Sequence, residues 1–231
     1  MKIAYSFVYK DEDGLINYLI KSAKYFDIIE VTDLELSENV INKLKTFKEH
    51  IDVDYIFYFR SFSDLLKDES KLDKFFDVME SLDPYLIVFD YFRDDFPILI
   101  NKIWYKLKLN IAVSFSMFDS FEKQLLEFSD LEDDIKYSVD LYTIINLKGF
   151  QNMYGIIKLL KSKIANLRIP CEIIKNSTSN KYIELFAKLL KEYNFLNKWV
   201  FTFYGKCNFK DVYNFRANLI QEAKKIFLTK L

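Results

Sequence analysis

Eight short apolar segments, spaced so that a helix fits between successive ones, constrain this chain more than any other feature. The clearest is 26–33 (FDIIEVTD), a buried-strand pattern that ends in polar residues. The other seven are KIAYSFVY (2–9), DYIFYFR (54–60), YLIVFDYF (85–92), NIAVSFS (110–116), DLYTIINLK (140–148), IPCEIIKN (169–176) and WVFTFYGK (199–206). Near-continuous apolar runs of this length are typical of parallel strands that helices cover.

The stretches between these segments predict helices. Apolar residues recur there at helical spacing, and the predicted helices are 15–26, 40–50, 71–82, 98–108, 121–128, 152–164, 180–193 and 212–228. Eight strand–helix units in 231 residues predict a single domain, 1–231, folded as a (β/α)8 TIM barrel with parallel strands and outer helices. The alternative is an open doubly wound sheet with a break near 108–110. No glycine-rich loop follows any strand, which counts against that alternative.

The charge balance limits the partners of the chain. Lys and Arg total 33 and Asp and Glu total 34, a formal charge of -1, so no strong field attracts nucleic acid or an anionic membrane. No apolar run approaches the ~18 residues that span a bilayer, and the amino terminus shows no leader pattern. We therefore predict a cytoplasmic protein that binds neither nucleic acid nor membrane.

Cysteine and histidine are scarce. The two cysteines, Cys171 and Cys207, fall in separate strand regions and predict reduced thiols. His50 is the one histidine, so no Cys/His metal motif exists, and we expect neither a metal nor a cofactor. Only three glutamines occur, which is typical of thermophile proteins.

Reactive groups of a barrel lie at the carboxyl ends of its strands, which selects the candidate residues. These are Ser6, Glu30, Thr32, Tyr58, Arg60, Asp90, Ser114, Ser116, Asn146, Lys148, Lys175, Asn176, Tyr204 and Lys206. Glu30 follows apolar residues and needs a partner, for which Arg60 on the next strand is the natural choice. That pair is either an acid/base or anion-binding site, or a structural ion pair at the rim. Asp90 either binds substrate or caps a loop, while Lys175 and Lys206 form an imine, hold a phosphate or lie exposed.

Several of these segments together resemble a known family. The order DIIEVTDLELSE, DYIFYFR, IAVSFSMFDSFEK, SVDLYTIINLKGFQN and WVFTFYGK is similar to type I 3-dehydroquinate dehydratase, an aldolase-type barrel. Glu30 and Arg60 stand where that family carries substrate-positioning residues, and Thr32 replaces its second-strand arginine. A weaker likeness to ribulose-phosphate 3-epimerase lies in MKIAYS and NLKGFQN, without that family's metal-binding residues.

The chain departs from the dehydratase pattern at the reactive positions. The family's catalytic histidine falls at 114–116, where this chain has serine and phenylalanine, and its imine-forming lysine falls at 140–144, where none is present. The resemblance therefore implies a barrel that has lost the dehydratase reaction and binds a small anionic metabolite or a protein partner, and a homodimer is compatible with it.

Two alternatives remain open. One is an active lyase or isomerase on small carboxylated or phosphorylated sugars, with Glu30 and a relocated lysine, Lys148 or Lys175, as catalytic residues. Its substrate-binding residues would be Arg60, Asp90, Ser116, Asn176, Tyr204 and Lys206. The other is an open-sheet nucleotide- or sugar-binding protein of the glycosyltransferase type.

Overall fold

A computed structural model describes residues 2–60, 67–90, 110–115, 138–142, 164–175, 182–188 and 200–228. Its strands are β1 (Lys2–Val8), β2 (Ile28–Thr32), β3 (Asp54–Phe59), β4 (Leu86–Asp90), β5 (Ile111–Phe115), β6 (Ser138–Tyr142), β7 (Ile164–Pro170) and β8 (Val200–Tyr204). Its helices are α1 (Glu12–Ser22), α2 (Glu38–His50), α3 (Glu69–Leu82), α4 (Glu172–Lys175) and α5 (Phe209–Leu228). Residues 182–188 are also helical.

The strands form a parallel sheet that closes on itself. Each strand pairs with the next one in chain order, and β1 also pairs with β8, from Lys2 opposite Val200 to Tyr5 opposite Phe203. The α/β barrel fold is thereby confirmed and the open-sheet alternative is wrong. The predicted helices 98–108 and 121–128, and most of 152–164, lie outside the described residues.

Local sequence explains where the described helices begin and end. The Asp11 carboxylate accepts a hydrogen bond from the Gly14 amide at the start of α1, and Asp68 caps α3 in the same way. Helix α3 ends at Leu82, and the next residue, Asp83, has a φ of 43° in the left-handed region that terminates helices. Pro84 follows at once and cannot continue a helix.

Two apolar clusters stabilise the barrel. The larger one lies between the sheet and the helices, where Phe75 of α3 packs edge-on against Phe59 with 5.4 Å between the ring centroids. The smaller one lies inside the barrel, mostly below the rim, and consists of Ala4, Ile28, Ile56, Tyr58, Leu86, Val88, Ala112 and Val200. Inward-facing residues therefore carry even numbers on these strands, which fixes the face that each polar residue of a strand occupies.

The late strands differ from prediction. β6 was predicted at 140–148 and β7 at 169–176, but they lie at Ser138–Tyr142 and Ile164–Pro170. The β7 sequence IANLRIP carries two polar residues that conceal its strand character, while the apolar run that follows forms α4. Lys175 consequently lies on α4 and not at a strand end.

The two cysteines are joined. Cys171 and Cys207 form a disulfide with 5.4 Å between their Cα atoms, a usual spacing for bridged residues. The prediction of reduced thiols is therefore wrong. It placed Cys171 inside a strand, whereas both cysteines follow the ends of the neighbouring strands β7 and β8 and so meet at one edge. Within the described ranges, no helix is long and apolar enough to cross a membrane.

Candidate active site

The pairing register arranges the inward residues in layers. In a barrel of this type, alternate strands contribute the side chains of one layer. By register, the rim layer holds Thr32, Asp90 and Tyr204, the next holds Ser6, Tyr58, Ser114 and Arg168, and the third holds Glu30, Val88 and Thr202. The carboxyl half of the interior is thus mostly polar, in contrast to the apolar lower half.

Glu30 and Arg168 form the ion pair at the centre of this polar region. Arg168 Nη1 and Nη2 donate to Glu30 Oε1 and Oε2, each at 2.7 Å. The Arg168 side chain is 1 % exposed and that of Glu30 0 %. Such a buried pair is tolerated because both charges are compensated and hydrogen-bonded in a two-point geometry.

The predicted pairing of Glu30 with Arg60 is wrong. β3 ends at Phe59, so Arg60 lies beyond the sheet, with 54 % of its side chain exposed. Its backbone N–H donates to Asp33 Oδ1 at 2.9 Å and its Nε to Asp33 Oδ2 at 2.5 Å. Asp33 holds this position with a left-handed φ of 53°. Hydrogen bonding to Asp33 raises the pKa of Arg60.

Tyr58 connects the ion pair to the rim. The guanidinium carbon of Arg168 lies 4.2 Å from the centroid of the Tyr58 ring, a cation–π contact. The Tyr58 hydroxyl donates to Asp90 Oδ1. A continuous chain of contacts therefore runs from Glu30 through Arg168 and Tyr58 to Asp90, the last residue of β4.

Asp90 has the electrostatic environment of a proton-transfer group. Burial raises the pKa of Asp90, while the hydrogen bond from Tyr58 and the charge of Arg168 act in the opposite direction. A half-buried carboxyl with an elevated pKa and a fixed hydrogen-bond donor is typical of acid/base residues. Asp90 was predicted as a substrate-binding residue, and the structure adds its partners.

Tyr204 occupies the rim on the opposite side, at the end of β8. Burial raises the pKa of Tyr204, the Glu172 carboxylate raises it further, and Arg168 opposes both. Glu172 is the first residue of α4 and lies directly after the disulfide-bonded Cys171. Lys206 is exposed beyond the strand end. Tyr204 is therefore placed to donate its proton in a hydrogen bond at neutral pH.

In the described part of the interior, the buried atoms Ser114 Oγ and Asn166 Nδ2 have no hydrogen-bond partner. By contrast, Thr202 Oγ1 donates to Asn166 Oδ1 at 2.9 Å, and Ser6 Oγ lies 3.4 Å from Thr32 Oγ1. Ser116, Lys148 and Asn176 lie outside the described residues. Among the residues that are described, no group of three or more His, Cys, Asp and Glu side chains could hold a metal ion.

Arg168 was missed by sequence reasoning. The available signal was an arginine within an otherwise largely apolar segment, IANLRIP. A charge inside a buried strand needs a compensating partner. With β7 located correctly, Arg168 would therefore have been predicted as the ion-pair partner of Glu30.

Comparisons with known proteins give fold matches alone. No protein-family model matches the chain, and no curated protein matches it. Among solved structures, an L-ribulose 3-epimerase aligns with a TM-score of 0.70 and 12 % identity, over 100 % of this chain and 98 % of that one. D-psicose 3-epimerase from Clostridium cellulolyticum H10, solved with D-tagatose, aligns with a TM-score of 0.64 and 14 % identity, over 97 % and 96 % of the two chains. The 3-keto-D-glucoside 4-epimerase of E. coli aligns with a TM-score of 0.64 and 11 % identity, over 96 % and 99 %.

These likenesses correct the dehydratase interpretation. At such identities they show a TIM-barrel-like fold, which is the part of the resemblance that holds. The prediction of a dehydroquinase-like barrel that has lost the dehydratase reaction is contradicted, because the solved structures reported above are sugar epimerases. The chain is similar over nearly its whole length to barrels of that kind.

Proposed function

We propose that this chain is a sugar isomerase or epimerase, built as one (β/α)8 domain over residues 1–231, with its active site at the carboxyl ends of the strands. Two features support this proposal. The epimerase barrels align with 96–100 % of the chain, and the polar groups of the described interior gather at the face where barrel enzymes carry their active sites.

The observation that carries the proposal is the hydrogen bond from Tyr58 to Asp90 above Arg168. Isomerisation or epimerisation beside a carbonyl requires removal of a proton from the adjacent carbon. In the proposed step the C–H bond breaks, Asp90 takes the proton, and the electron pair moves to the carbonyl oxygen as an enediolate forms. For isomerisation, the hydroxyl proton on the deprotonated carbon passes to the former carbonyl oxygen and Asp90 returns its proton to the former carbonyl carbon, so that the carbonyl has moved and Asp90 is ionised again. For epimerisation, the planar enediolate turns its other face toward Asp90, which returns the proton to the same carbon from that side.

The remaining residues have distinct proposed roles. Tyr58 orients the Asp90 carboxylate, and Arg168 supplies positive charge beneath the reacting centre. Glu30 is a positioning residue, because both of its oxygens are occupied by Arg168. Tyr204 donates to substrate oxygen from the opposite rim. Arg60, Lys206, Ser116 and Asn176 stay as proposed substrate-binding residues, and Asp90 replaces the relocated lysine, Lys148 or Lys175, as the catalytic group.

The charge of the described mouth favours a neutral sugar. Arg168 is compensated by Glu30 and Arg60 by Asp33. Asp90 and Glu172 add two negative charges beside them, and the exposed Lys206 adds one positive charge. A phosphate or carboxylate on the substrate would approach these carboxylates at an electrostatic cost. D-fructose and D-tagatose, present in two of the matched structures, are neutral sugars. We therefore propose a neutral ketose in place of the predicted anionic metabolite.

A turnover assay with a matched control tests this function. The full chain would be incubated with D-fructose, D-tagatose, L-ribulose or D-fructose 6-phosphate, and new isomers would be detected by NMR. We expect turnover of a neutral ketose and a loss of about 100-fold or more in Asp90→Asn. The control is Asp54→Asn, which removes an exposed carboxylate that pairs with Lys2 at the opposite end of the barrel. Wild-type turnover in Asp90→Asn, or no turnover of any of the sugars, would contradict the proposal.

A further inference from the structure

We propose that Ser114 is a hydroxyl-binding subsite of this active site, a role that rests on the proposed function because it assigns the bound hydroxyl to a sugar. Ser114 is 2 % exposed, yet its Oγ has no hydrogen-bond partner among the residues that the structure describes. Leaving a buried hydroxyl unpaired is unfavourable, and native proteins seldom do so without a functional reason.

The register places Ser114 beside the proposed catalytic group. Ser114 on β5 is the direct pairing partner of Asp90 on β4. It also shares an interior layer with Tyr58 and Arg168, the two residues that support Asp90. A ligand that presents a C–H bond to Asp90 therefore has its neighbouring substituents near Ser114.

The chemistry of a serine hydroxyl suits a sugar hydroxyl. Serine offers one donor and two acceptor positions, and a sugar hydroxyl offers the same set, so the two satisfy each other in either direction. A site built around such a pair strongly rejects an analogue in which the hydroxyl is missing, because the protein group is then left unpaired again. Ser114 would thus select for a hydroxyl on the carbon next to the reacting one.

The alternative occupant is a permanently bound water molecule, which would make Ser114 a structural residue. The two cases differ in what Ser114→Ala does. If the hydroxyl is unpaired until a ligand binds, its removal eliminates an unsatisfied buried group from the free protein and weakens ligand binding. If the hydroxyl holds a structural water, its removal lowers stability and leaves ligand binding unchanged.

The experiment uses the full chain with three probes, mannitol, galactitol and D-fructose, whose dissociation constants are measured by calorimetry. The two hexitols lack a carbonyl, so their binding does not depend on the reaction. We expect Ser114→Ala to bind at least one probe about 10-fold more weakly than wild type, with a thermal midpoint that is not lowered. The matched control is Ser22→Ala on α1, whose hydroxyl donates to Tyr18 O at 2.7 Å outside the barrel interior. That variant should lose thermal stability and keep its affinity for the probes.

Two results overturn the subsite: unchanged affinity in Ser114→Ala, whatever its midpoint, or no binding of any probe by wild type. The subsite and the function fail separately. Turnover of a ketose by wild type with unchanged affinity in Ser114→Ala removes the subsite alone. Weakened probe binding in Ser114→Ala without turnover of any ketose by wild type removes the isomerase function and leaves the subsite in place.

Discussion

Arg168 of β7 and Glu30 of β2 join opposite sides of the barrel interior through two hydrogen bonds of 2.7 Å, 138 residues apart in the chain. The strands that carry them are not neighbours in the sheet. The pair therefore links two non-adjacent strands across the barrel interior, and it holds the guanidinium group of Arg168 against the ring of Tyr58.

Removing one member of this pair should be severely destabilising. In Arg168→Met the Glu30 carboxylate stays buried without a partner, and we expect the free energy of unfolding in urea to fall by about 3–5 kcal/mol. The double variant Glu30→Leu with Arg168→Met should recover much of that loss, because no unpaired charge is left.

The exposed pair of Arg60 with Asp33 serves as the control for this prediction. With Arg60 54 % exposed, Arg60→Met should lower the free energy of unfolding by less than about 1 kcal/mol. If the free energy of unfolding fell equally in Arg60→Met and Arg168→Met, the buried pair would contribute no more to stability than the exposed one.

Stability should depend on pH through Asp90. Burial raises the pKa of this carboxyl above its ordinary value of 3.8. The folded protein then holds the proton more tightly than the unfolded chain, so this stabilising contribution is complete below 3.8 and is lost as pH rises through the raised pKa. Asp90→Asn has no carboxyl here to lose its proton. The difference between the free energy of unfolding of the variant and that of wild type should therefore rise in favour of the variant across this pH window and stay constant above it. If the free energy of unfolding in urea instead shifted in favour of wild type as pH rises across the same window, the raised pKa of Asp90 would be contradicted.

The pH dependence of activity should respond to Tyr58. The hydrogen bond from Tyr58 lowers the pKa of Asp90 and so partly offsets the effect of burial. In Tyr58→Phe that opposition is gone, and the pKa of Asp90 should rise. Because a base acts in its ionised form, the acid limb of kcat/KM for the ketose should move to higher pH in the variant. An unmoved or lowered limb would exclude Asp90 as the base that Tyr58 assists.

The disulfide should stabilise the late part of the barrel. Cys171 and Cys207 are 36 residues apart, and closing a loop of that length restricts the unfolded chain by about 4 kcal/mol in the chain-entropy model. Cys207→Ser should therefore unfold at a lower urea concentration than oxidised wild type. In excess dithiothreitol, the unfolding midpoints of the two proteins should be the same. Two alkylatable thiols in the unreduced protein would show that the bond does not form. Disulfides are rare in a reducing cytosol, so this measurement also bears on the cytoplasmic location, which stays a prediction.

The barrel was predictable because its evidence is repeated along the chain. Strands such as LIVFD of β4 are short apolar runs with polar ends, and an amphipathic stretch follows each of the first three. β7 was misplaced because its inward positions carry Asn166 and Arg168, so the periodic apolar signal is weakest where the site is most polar.

The candidate site was predictable only in part, for a geometric reason. Asp90 was found because it ends a strand, and every such residue lies near the rim. The partner of Glu30 could not be found in this way, since the strand of Arg168 comes five strands later in the chain and sequence adjacency pointed to Arg60. The turn that places Asp33 in hydrogen-bonding contact with Arg60 has a left-handed backbone at Asp33, and no glycine in the sequence indicates this conformation.

Incorporation of solvent deuterium into a ketose is the most direct test of the account, because it reports the transfer of a carbon-bound proton whether or not a new isomer accumulates. In D2O, we expect wild type to introduce deuterium next to the carbonyl of a neutral ketose, observed as loss of that proton resonance by NMR. Asp90→Asn should not do so, and Asp54→Asn should match wild type. Exchange at the wild-type rate in Asp90→Asn, or no exchange with wild type, would contradict the assignment of Asp90 as the base of a sugar isomerase.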